Sequence, residues 1–239
     1  MATTRSSALD TFERGLASRA NEVRTPAEAA VDADRLPRAA KRALDVATSV
    51  ALLIVLAPVL ALLAIVVKLD SSGPVLFRQR RYGQGLAPFT ILKFRTMHAD
   101  ASHDLHRRHI AWLAAGPDTG VPGRLKKVID DPRLTRSGRI LRKLSLDELP
   151  QLVNVLRGEM SLVGPRPAIG YELDHYSPGD FDRFEVRPGM TGLWQVSGRS
   201  ELGVREMLEL DVRYAREWSL MLDLRILGRT PRASIRGAA

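Results

Sequence analysis

Cysteine is absent from the 239-residue chain, and with it go disulfides, zinc fingers, iron–sulfur clusters and thiol nucleophiles. Any catalysis must therefore rest on oxygen or nitrogen groups. Lysine is also sparse, supplying six of the 36 basic residues against 30 arginines. No internal repeat is visible. The first 40 residues hold ten Ala, Pro26, Pro37 and scattered charges but no apolar run. That composition cannot offset ordering entropy and lacks the apolar core of a signal peptide, so residues 1–40 are expected to be a disordered polar tail. Leu9, Phe12 and Leu16 are spaced for a weak helical turn within it.

What is present begins with length and charge. At 239 residues the chain accommodates one complete domain plus extras. An apolar content of 45% with 26% charged residues excludes a wholly disordered or collagen-like chain. Residues 1–40 carry six basic and six acidic groups and cancel, so the net +9 lies in residues 41–239, as 30 basic against 21 acidic. Arginine offers a planar fork suited to phosphate oxygens, although an Arg- and Ala-rich codon bias also accounts for many of these residues.

Between Val46 and Val67 there are 22 residues without a charge. As a helix rising about 1.5 Å per residue they would reach roughly 33 Å, just enough to cross a hydrocarbon core. Two features argue for a re-entrant segment instead. Pro58 stands near the middle, where it removes a backbone donor and favours a kink. Both flanks are basic, with Lys41 and Arg42 before and Lys68, Arg78, Arg80 and Arg81 after, which favours entry and exit by the same, cytoplasmic, face. An ordinary spanning helix with a tolerated proline remains the alternative. Residues 41–70 are read as the membrane-inserted helix and 71–239 as a domain at the cytoplasmic face.

The remaining pattern predicts an α+β fold, mainly helical. Val75–Tyr82 and Phe89–Phe94, joined across Gly83 and Gly85, read as a small β-hairpin delivering Lys93 and Arg95 to a strand end. His98, His103, His106 and His109 cluster, but with Arg107 and Arg108 among them and no nearby Glu they read as a solvated segment rather than a metal site. Helical spacing resumes at Ser137–Leu144 and Asp147–Arg157. Val204, Met207, Leu208, Tyr214, Ala215 and Trp218 mark one face of a C-terminal amphipathic helix. The stretch that follows, to Leu227, suits a membrane interface or a soluble core equally.

The richest stretch is Ser145 to Leu152. Adjacent carboxylates, Asp147 and Glu148, stand at a helix start, where unpaired N–H groups favour ionised acids. Ser145 and Glu148 also fit a capping box, and Asp147 fits a cap that places Pro150 in the first turn, so capping and catalysis both explain the pair. Arg142 precedes it. Arg166 follows on a turn stiffened by Pro165 and Pro167, a geometry suited to gripping a phosphate under attack or to a structural ion pair.

Taken in order, Lys41-Arg42-x-x-Asp45, Lys93-Phe-Arg-Thr-Met97, Asp131-Pro-Arg133-x-Thr135, Leu144 to Leu152, Gly158-x-Met160-Ser161-x-Val163-Gly-Pro-Arg-Pro167, Arg187 to Gly192 and Trp218-Ser-x-x-x-Asp223 resemble the bacterial sugar transferases, the monotopic polyprenyl-phosphate phosphoglycosyl transferases. The resemblance covers about residues 41–230. It implies transfer of a sugar 1-phosphate from a UDP-sugar, with UDP-glucose or UDP-galactose the first guess, to undecaprenyl phosphate, releasing UMP. Such a step opens exopolysaccharide, capsule or O-antigen synthesis at the inner membrane. It implies Asp147 as nucleophile forming a covalent intermediate and Glu148 as a Mg²⁺ ligand. Arg142, Arg166, Lys93 and Arg95 then become candidate phosphate- or substrate-binding residues. Membrane lipid is an expected partner, nucleic acid is not, and a homo-oligomer is compatible with the sequence. Relatives often carry Ser-Pro in the apolar segment where this chain has Ala57-Pro58, and Leu193 to Arg199 resembles forms that carry several preceding membrane helices, in whose place this chain has the polar tail. A different class, a non-catalytic membrane-tethered basic module binding anionic lipid or nucleic acid, explains the charge and the apolar segment but not the acid pair beside Arg142 and Arg166.

Overall fold

The computed structural model describes residues 35–98 and 133–236. The chain opens with helix α1 (Arg35–Val55) and helix α2 (Ala57–Asp70), which meet at Leu56 with a bend of 65°. Pro58 is the second residue of α2, a position whose N–H has no helical partner in any case. The backbone ladder runs up to the bend, Leu56 N–H to the Leu52 carbonyl at 2.9 Å, and resumes after it, Leu60 N–H to the Leu56 carbonyl at 2.8 Å. Pro58 thus bends the segment, as expected from its position. Among the described residues no single helix is long and apolar enough to cross a membrane; the bent pair meets that test only together. Helix α1 starts at Arg35, so residues 35–40 are helical rather than part of a tail, while residues 1–34 lie outside the described residues.

Large apolar side chains line the outside of the pair, among them Ile54, Val55, Leu62, Ile65 and Leu69, the last 81% exposed. The opening turns of α1 are held very differently. Lys41 Nζ donates to Asp223 Oδ2 at 2.6 Å and to the Val163 carbonyl at 3.1 Å. Arg42 donates to the Val155 and Leu156 carbonyls at 2.6 and 2.8 Å, and Asp45 accepts the Leu162 N–H at 3.0 Å. The Lys-Arg-x-x-Asp motif is therefore a socket that joins the apolar pair to the rest of the chain.

Strands β1 (Leu76–Tyr82) and β2 (Pro88–Phe94) form the expected antiparallel hairpin, with Arg81 opposite Phe89 and Lys93 opposite Phe77. Its turn passes through Gly85 at φ +61°, a left-handed backbone that glycine adopts without strain. After the gap come α3 (Arg136–Lys143) and α4 (Gln151–Arg157), then β3 (Ser161–Val163), which pairs in parallel with β4 (Gly189–Thr191). This second, two-stranded sheet falls on stretches whose only sequence signal is that of turns. It depends on contact between backbones: a Cβ on Gly189 would stand 2.0 Å from the Gly164 nitrogen. Helices α5 (Leu193–Ser197), α6 (Val204–Arg216) and α7 (Leu220–Arg236) complete the mostly helical fold.

The main core joins Phe89 and Ile91 of the hairpin, Leu152 and Val155 of α4, Leu162 of β3, Tyr214 of α6 and Ile226 of α7. Met207, Leu208 and Tyr214 are buried along α6, as their spacing predicts. Helix α7 buries Asp223 and Ile226 yet exposes Met221 and Leu224, so it is half core and half surface. His98 donates its N–H to the Arg133 carbonyl at 2.9 Å; the other three clustered histidines lie outside the described residues.

Asp223 is the most heavily used acceptor at this junction: Lys41, Tyr214 at 2.7 Å and Trp218 Nε1 at 3.2 Å all donate to it. Asp223→Ala leaves the Lys41 ammonium without its counter-charge and should destabilise the protein by about 3–5 kcal/mol. Thermal unfolding of the purified protein in detergent checks this. A variant within about 1 kcal/mol of the parent would show that the socket holds without its acid.

Candidate active site

Helix α3 ends on an unusual residue. Its start is ordinary: Thr135 caps it, accepting the Gly138 N–H at 3.0 Å. Gly138 lies so close to the end of the hairpin that a Cβ would stand 2.1 Å from the Thr96 carbonyl oxygen. The helix stops at Lys143, and Ser145 then adopts a left-handed backbone, φ 57° and ψ 21°. A single 3₁₀ turn, Leu146–Glu148, follows, and Pro150 leads into α4. The backbone thus reverses within a few residues, with Asp147 and Glu148 inside the reversal.

The expected caps are not made. The Ser145 side chain makes no cap bond, Asp147 lies inside the 3₁₀ turn, and Pro150 takes the cap position of α4, with no side-chain cap bond. The Ser145 hydroxyl instead accepts a bond from Arg199 Nη2 at 2.8 Å. The capping explanation of the acid pair lapses on that geometry, because long-range contacts replace the local bonds that the spacing suggested.

The two acids differ in exposure. Asp147 is buried, at 7% exposed, whereas the Glu148 side chain is 35% exposed and takes Lys93 Nζ at 3.0 Å on Oε1. Lys93 reaches it from β2, so the hairpin and the reversal meet through this pair. Arg142 stands half-buried in the last turn of α3, and its carbonyl accepts the Ser145 N–H at 3.3 Å.

Arg166 comes from the turn after β3. One arm of its guanidinium donates to Glu172 at 3.1 Å, and Glu172 takes the Ile169 N–H on its other oxygen at 2.9 Å. The Glu172 charge raises the affinity of Arg166 for its proton against the effect of burial. Burial pushes Glu172 up, but Arg166 and Arg81 together outweigh it and hold the acid below its ordinary range. A quarter of the Arg166 side chain stays open to solvent.

Arg81 links the two halves. It is buried on β1, donates to the Pro167 carbonyl at 3.1 Å and Gln79 at 2.7 Å, and among the described residues leaves Nε without a partner. Burial and then the like charge of Arg166 depress it to about 10, while Glu172 and Glu148 pull the other way. One buried guanidinium, near the turn of the hairpin and opposite Phe89, thus feels the charges of both Glu148 and Arg166.

Arg95 is employed elsewhere. It is buried and donates to the Ser71 carbonyl at 2.7 Å, the Val67 carbonyl at 3.2 Å and the Ser72 carbonyl. These are the carbonyls at and just past the C-terminal end of α2, so Arg95 closes that helix rather than facing Glu148. Of the six residues singled out from sequence, Asp147 and Glu148 share the reversal and Lys93 pairs with Glu148, whereas Arg166 is held by Glu172 on the turn after β3, Arg142 stands in the last turn of α3, and Arg95 closes the end of α2.

Sequence reasoning missed Arg81 and Arg199 as parts of the site. Arg81 had no signal beyond its charge. Arg199 had one, a glycine before it. It holds φ +52° and bridges Ser145 to the Ala233 carbonyl of α7 at 3.1 Å. Behind Arg166 a further pair, Arg183 and Asp211, is wholly buried; burial pushes the Asp211 carboxyl up to about 6 against the pull of Arg183.

Two left-handed, non-glycine residues joined by a hydrogen bond next to a carboxylate pair amount to stored strain. Ser145→Ala keeps the backbone but loses the acceptor for Arg199, and should cost about 1–2 kcal/mol. Ser145→Gly frees the backbone and should be about 1 kcal/mol more stable than Ser145→Ala. Thermal unfolding of both variants tests this; equal melting temperatures would show that the left-handed conformation carries no cost.

A buried carboxylate and a partly open one paired with Lys93 suit chemistry on a phosphate ester. The comparisons with known proteins point the same way. The bacterial sugar transferase family matches residues 36–237. The UDP-glucose:undecaprenyl-phosphate glucose-1-phosphate transferase of Caulobacter vibrioides is 47% identical over 208 residues, covering 82% of this chain and 71% of the relative. The exopolysaccharide production protein ExoY of Sinorhizobium fredii is 41% identical over 190 residues, 80% of this chain and 83% of the relative. The UDP-galactose-lipid carrier transferase of Erwinia amylovora is 42% identical over 191 residues, which is 80% of this chain but 39% of that longer protein. With the motifs running in order through the matched region, the chain belongs to the bacterial sugar transferase family.

Proposed function

We propose that the protein moves a sugar 1-phosphate from a UDP-sugar to undecaprenyl phosphate, through a covalent intermediate on Asp147, as a first membrane step of exopolysaccharide, capsule or O-antigen synthesis. The observation that carries this reading is the reversal that holds Asp147 and Glu148 without using them as helix caps, beside Lys93 and within electrostatic reach of Arg81. The names of the relatives support glucose 1-phosphate, or the galactose analogue, as the group carried.

In the first displacement a carboxylate oxygen of Asp147 attacks the phosphorus that bears the sugar. The bond to the bridging oxygen breaks, and UMP leaves with the electron pair. In the second, an oxygen of undecaprenyl phosphate attacks the same phosphorus and Asp147 is released. Two anions are thereby kept from meeting directly. Arg166 and Lys93 offset negative charge on the transferring group, and Arg142 offsets it on the approaching nucleotide. Arg166 is suited to this because only one arm is held by Glu172, and Lys93 because its partner Glu148 is partly open.

Mg²⁺ fits these residues. Among the described residues no three acidic or histidine groups form a closed cage, and this ion characteristically binds one or two carboxylates together with substrate phosphates and water. Glu148, the more exposed acid, would hold it, which requires Lys93 to yield Oε1. Its chemistry there would be to neutralise diphosphate charge.

The bent pair α1–α2 is read as re-entrant at the cytoplasmic membrane, with the catalytic part on the cytoplasmic face, where nucleotide sugars are found. Support comes from the 65° bend, the exposed apolar side chains of both helices and the basic residues at both ends. Ile140 of α3, Leu144 just past its end, and Met221 and Leu224 of α7 are exposed beside arginines and lysine, as befits interfacial helices.

The assay is UMP release from a panel of UDP-sugars with undecaprenyl phosphate present, and UDP-glucose should give the fastest release. Asp147→Asn should abolish both turnover and the labelled intermediate, because an amide is a poor nucleophile at phosphorus. Glu148→Gln should demand far more Mg²⁺, by about tenfold or more, while the protein stays folded. Wild-type turnover in the first variant, or an unchanged magnesium titration in the second, would sink the respective role.

Topology has its own test, made clean by the absence of native cysteine. Single cysteines at Ala30 and at exposed Ser72 should both resist a membrane-impermeant thiol reagent in intact cells and react after permeabilisation. Labelling of position 30 alone in intact cells would mean a crossing helix.

A further inference from the structure

Arg183 and Asp211 belong to none of the motifs that mark the family resemblance, yet they are the most deeply buried ion pair among the described residues, with side chains 1% and 0% exposed. Arg183 lies in the 3₁₀ segment Pro178–Glu185 and Asp211 on α6. The pair is not ideally satisfied. Among the described residues, Arg183 Nε and Asp211 Oδ1 find no hydrogen-bond partner. Such an arrangement is a poor source of stability, since well-packed apolar residues of similar volume commonly do as well or better.

Its bonds converge on one residue. The Arg166 N–H donates to Asp211 Oδ2 at 3.2 Å, and the Arg166 carbonyl accepts from Arg183 Nη2 at 2.6 Å. The same Nη2 also bonds Asp211 Oδ2, closing a ring of three groups. Because Pro165 and Pro167 carry no N–H, that of Arg166 is the sole amide donor in the triplet, and it is aimed at Asp211. The Arg183 guanidinium is itself immobilised, bonded to the Tyr176 hydroxyl and lying 5.4 Å from the Tyr176 ring centre and 5.6 Å from that of Phe184. Both polar groups of the Arg166 backbone are thus held from behind, while Glu172 holds one arm of its side chain from the front.

We infer that Arg183 and Asp211 are a positioning pair that sets the Arg166 backbone, and through it the direction of the Arg166 guanidinium, for the phosphate being transferred. The inference rests on the reading of Arg166 as a phosphate ligand given under Proposed function. Neither residue of the pair touches substrate. An apolar pair would fill the same space but leave the Arg166 N–H and carbonyl without fixed partners, and a guanidinium displaced by about 1 Å loses much of its value to the reaction.

The test separates stability from rate. Arg183→Met combined with Asp211→Leu replaces the pair by apolar side chains of similar size. The purified protein should melt within a few degrees of the parent, or above it, while kcat for UMP release from UDP-glucose with undecaprenyl phosphate falls roughly ten- to a hundredfold. The same double replacement in an Arg166→Lys background should cost less than about twofold more, because the group being positioned has already been lost. Wild-type kcat in the double variant, or an equal loss in both backgrounds, overturns the inference. Should the double variant fail to fold, Asp211→Asn, which keeps shape and an acceptor oxygen, is taken through the same two backgrounds with the same criteria. The two readings fail differently: full activity of Arg166→Lys alone removes the phosphate role of Arg166, whereas an impaired Arg166→Lys beside a fully active pair replacement removes only the positioning role.

Discussion

The placement of the apolar helix pair against the rest of the fold depends on how α1 is fastened at its polar end. A bent apolar pair with its large side chains turned outward has little of its own to hold it at a defined angle to the domain. The fastening is electrostatic and buried: Lys41 reaches Asp223 of α7 and the Val163 carbonyl of β3, and Arg42 closes the carbonyl end of α4. Partly buried charges are costly unless their hydrogen bonds are completed, and here Tyr214 and Trp218 complete them on Asp223. Three distant motifs, Lys-Arg-x-x-Asp, Ser-x-Val and Trp-Ser-x-x-x-Asp, meet at this point, which explains their presence without giving any of them a part in catalysis.

The site is built on the same pattern, short irregular segments held by buried charge rather than by regular structure. The Ser145–Pro150 reversal has short-range backbone bonds, Glu148 N–H to the Ser145 carbonyl and Leu149 N–H to the Leu146 carbonyl, both at 3.3 Å, and in the Pro165–Pro167 turn the Pro165 carbonyl accepts the Gly189 N–H at 2.8 Å; side chains add the rest. The first is held through Ser145 by Arg199, which also grips α7, and through Glu148 by Lys93. The second rests on Arg81 and on the Arg183–Asp211 pair. Prolines in both segments reduce the entropy lost on ordering, so a few directed bonds suffice. Left-handed backbone at Ser145 and Arg199 is tolerated where such bonds over-determine it.

How much of this could be read from residues alone divides along range. The hairpin, the bend at Pro58 and the buried face of α6 follow from local rules of turn chemistry, missing donors and helical spacing, and all appear as expected. The acid pair was legible as a site but not as a geometry, because Ser145 and Glu148 satisfy a local capping pattern that a residue 54 positions away overrides. Arg95 was legible only as a basic residue at a strand end; that its partners are carbonyls 23 to 28 residues earlier is a fact of packing. Arg183 and Asp211 look like ordinary charges in polar stretches, and nothing local distinguishes a solvated arginine from one at 1% exposure. Residues 99–132, which include three of the clustered histidines, lie outside the described residues.

The partners of Arg95 explain the placement of Lys93. The two stand one residue apart at the end of β2, separated by Phe94, which is buried against Val67 of α2 and Leu141 of α3. In a strand, side chains two residues apart point to the same side at a spacing of about 7 Å. One of these cations closes the end of the apolar helix pair and the other pairs with Glu148. The end of the strand therefore acts as a ruler between the last turn of α2 and the acid pair. A phosphate carried on a lipid stays near the membrane surface, and a nucleotide arrives from water, so a transferase joining them has to hold its carboxylates within a short, fixed distance of the surface. On the proposed topology, that distance is set by one dipeptide step of β-strand with a buried phenylalanine at its centre.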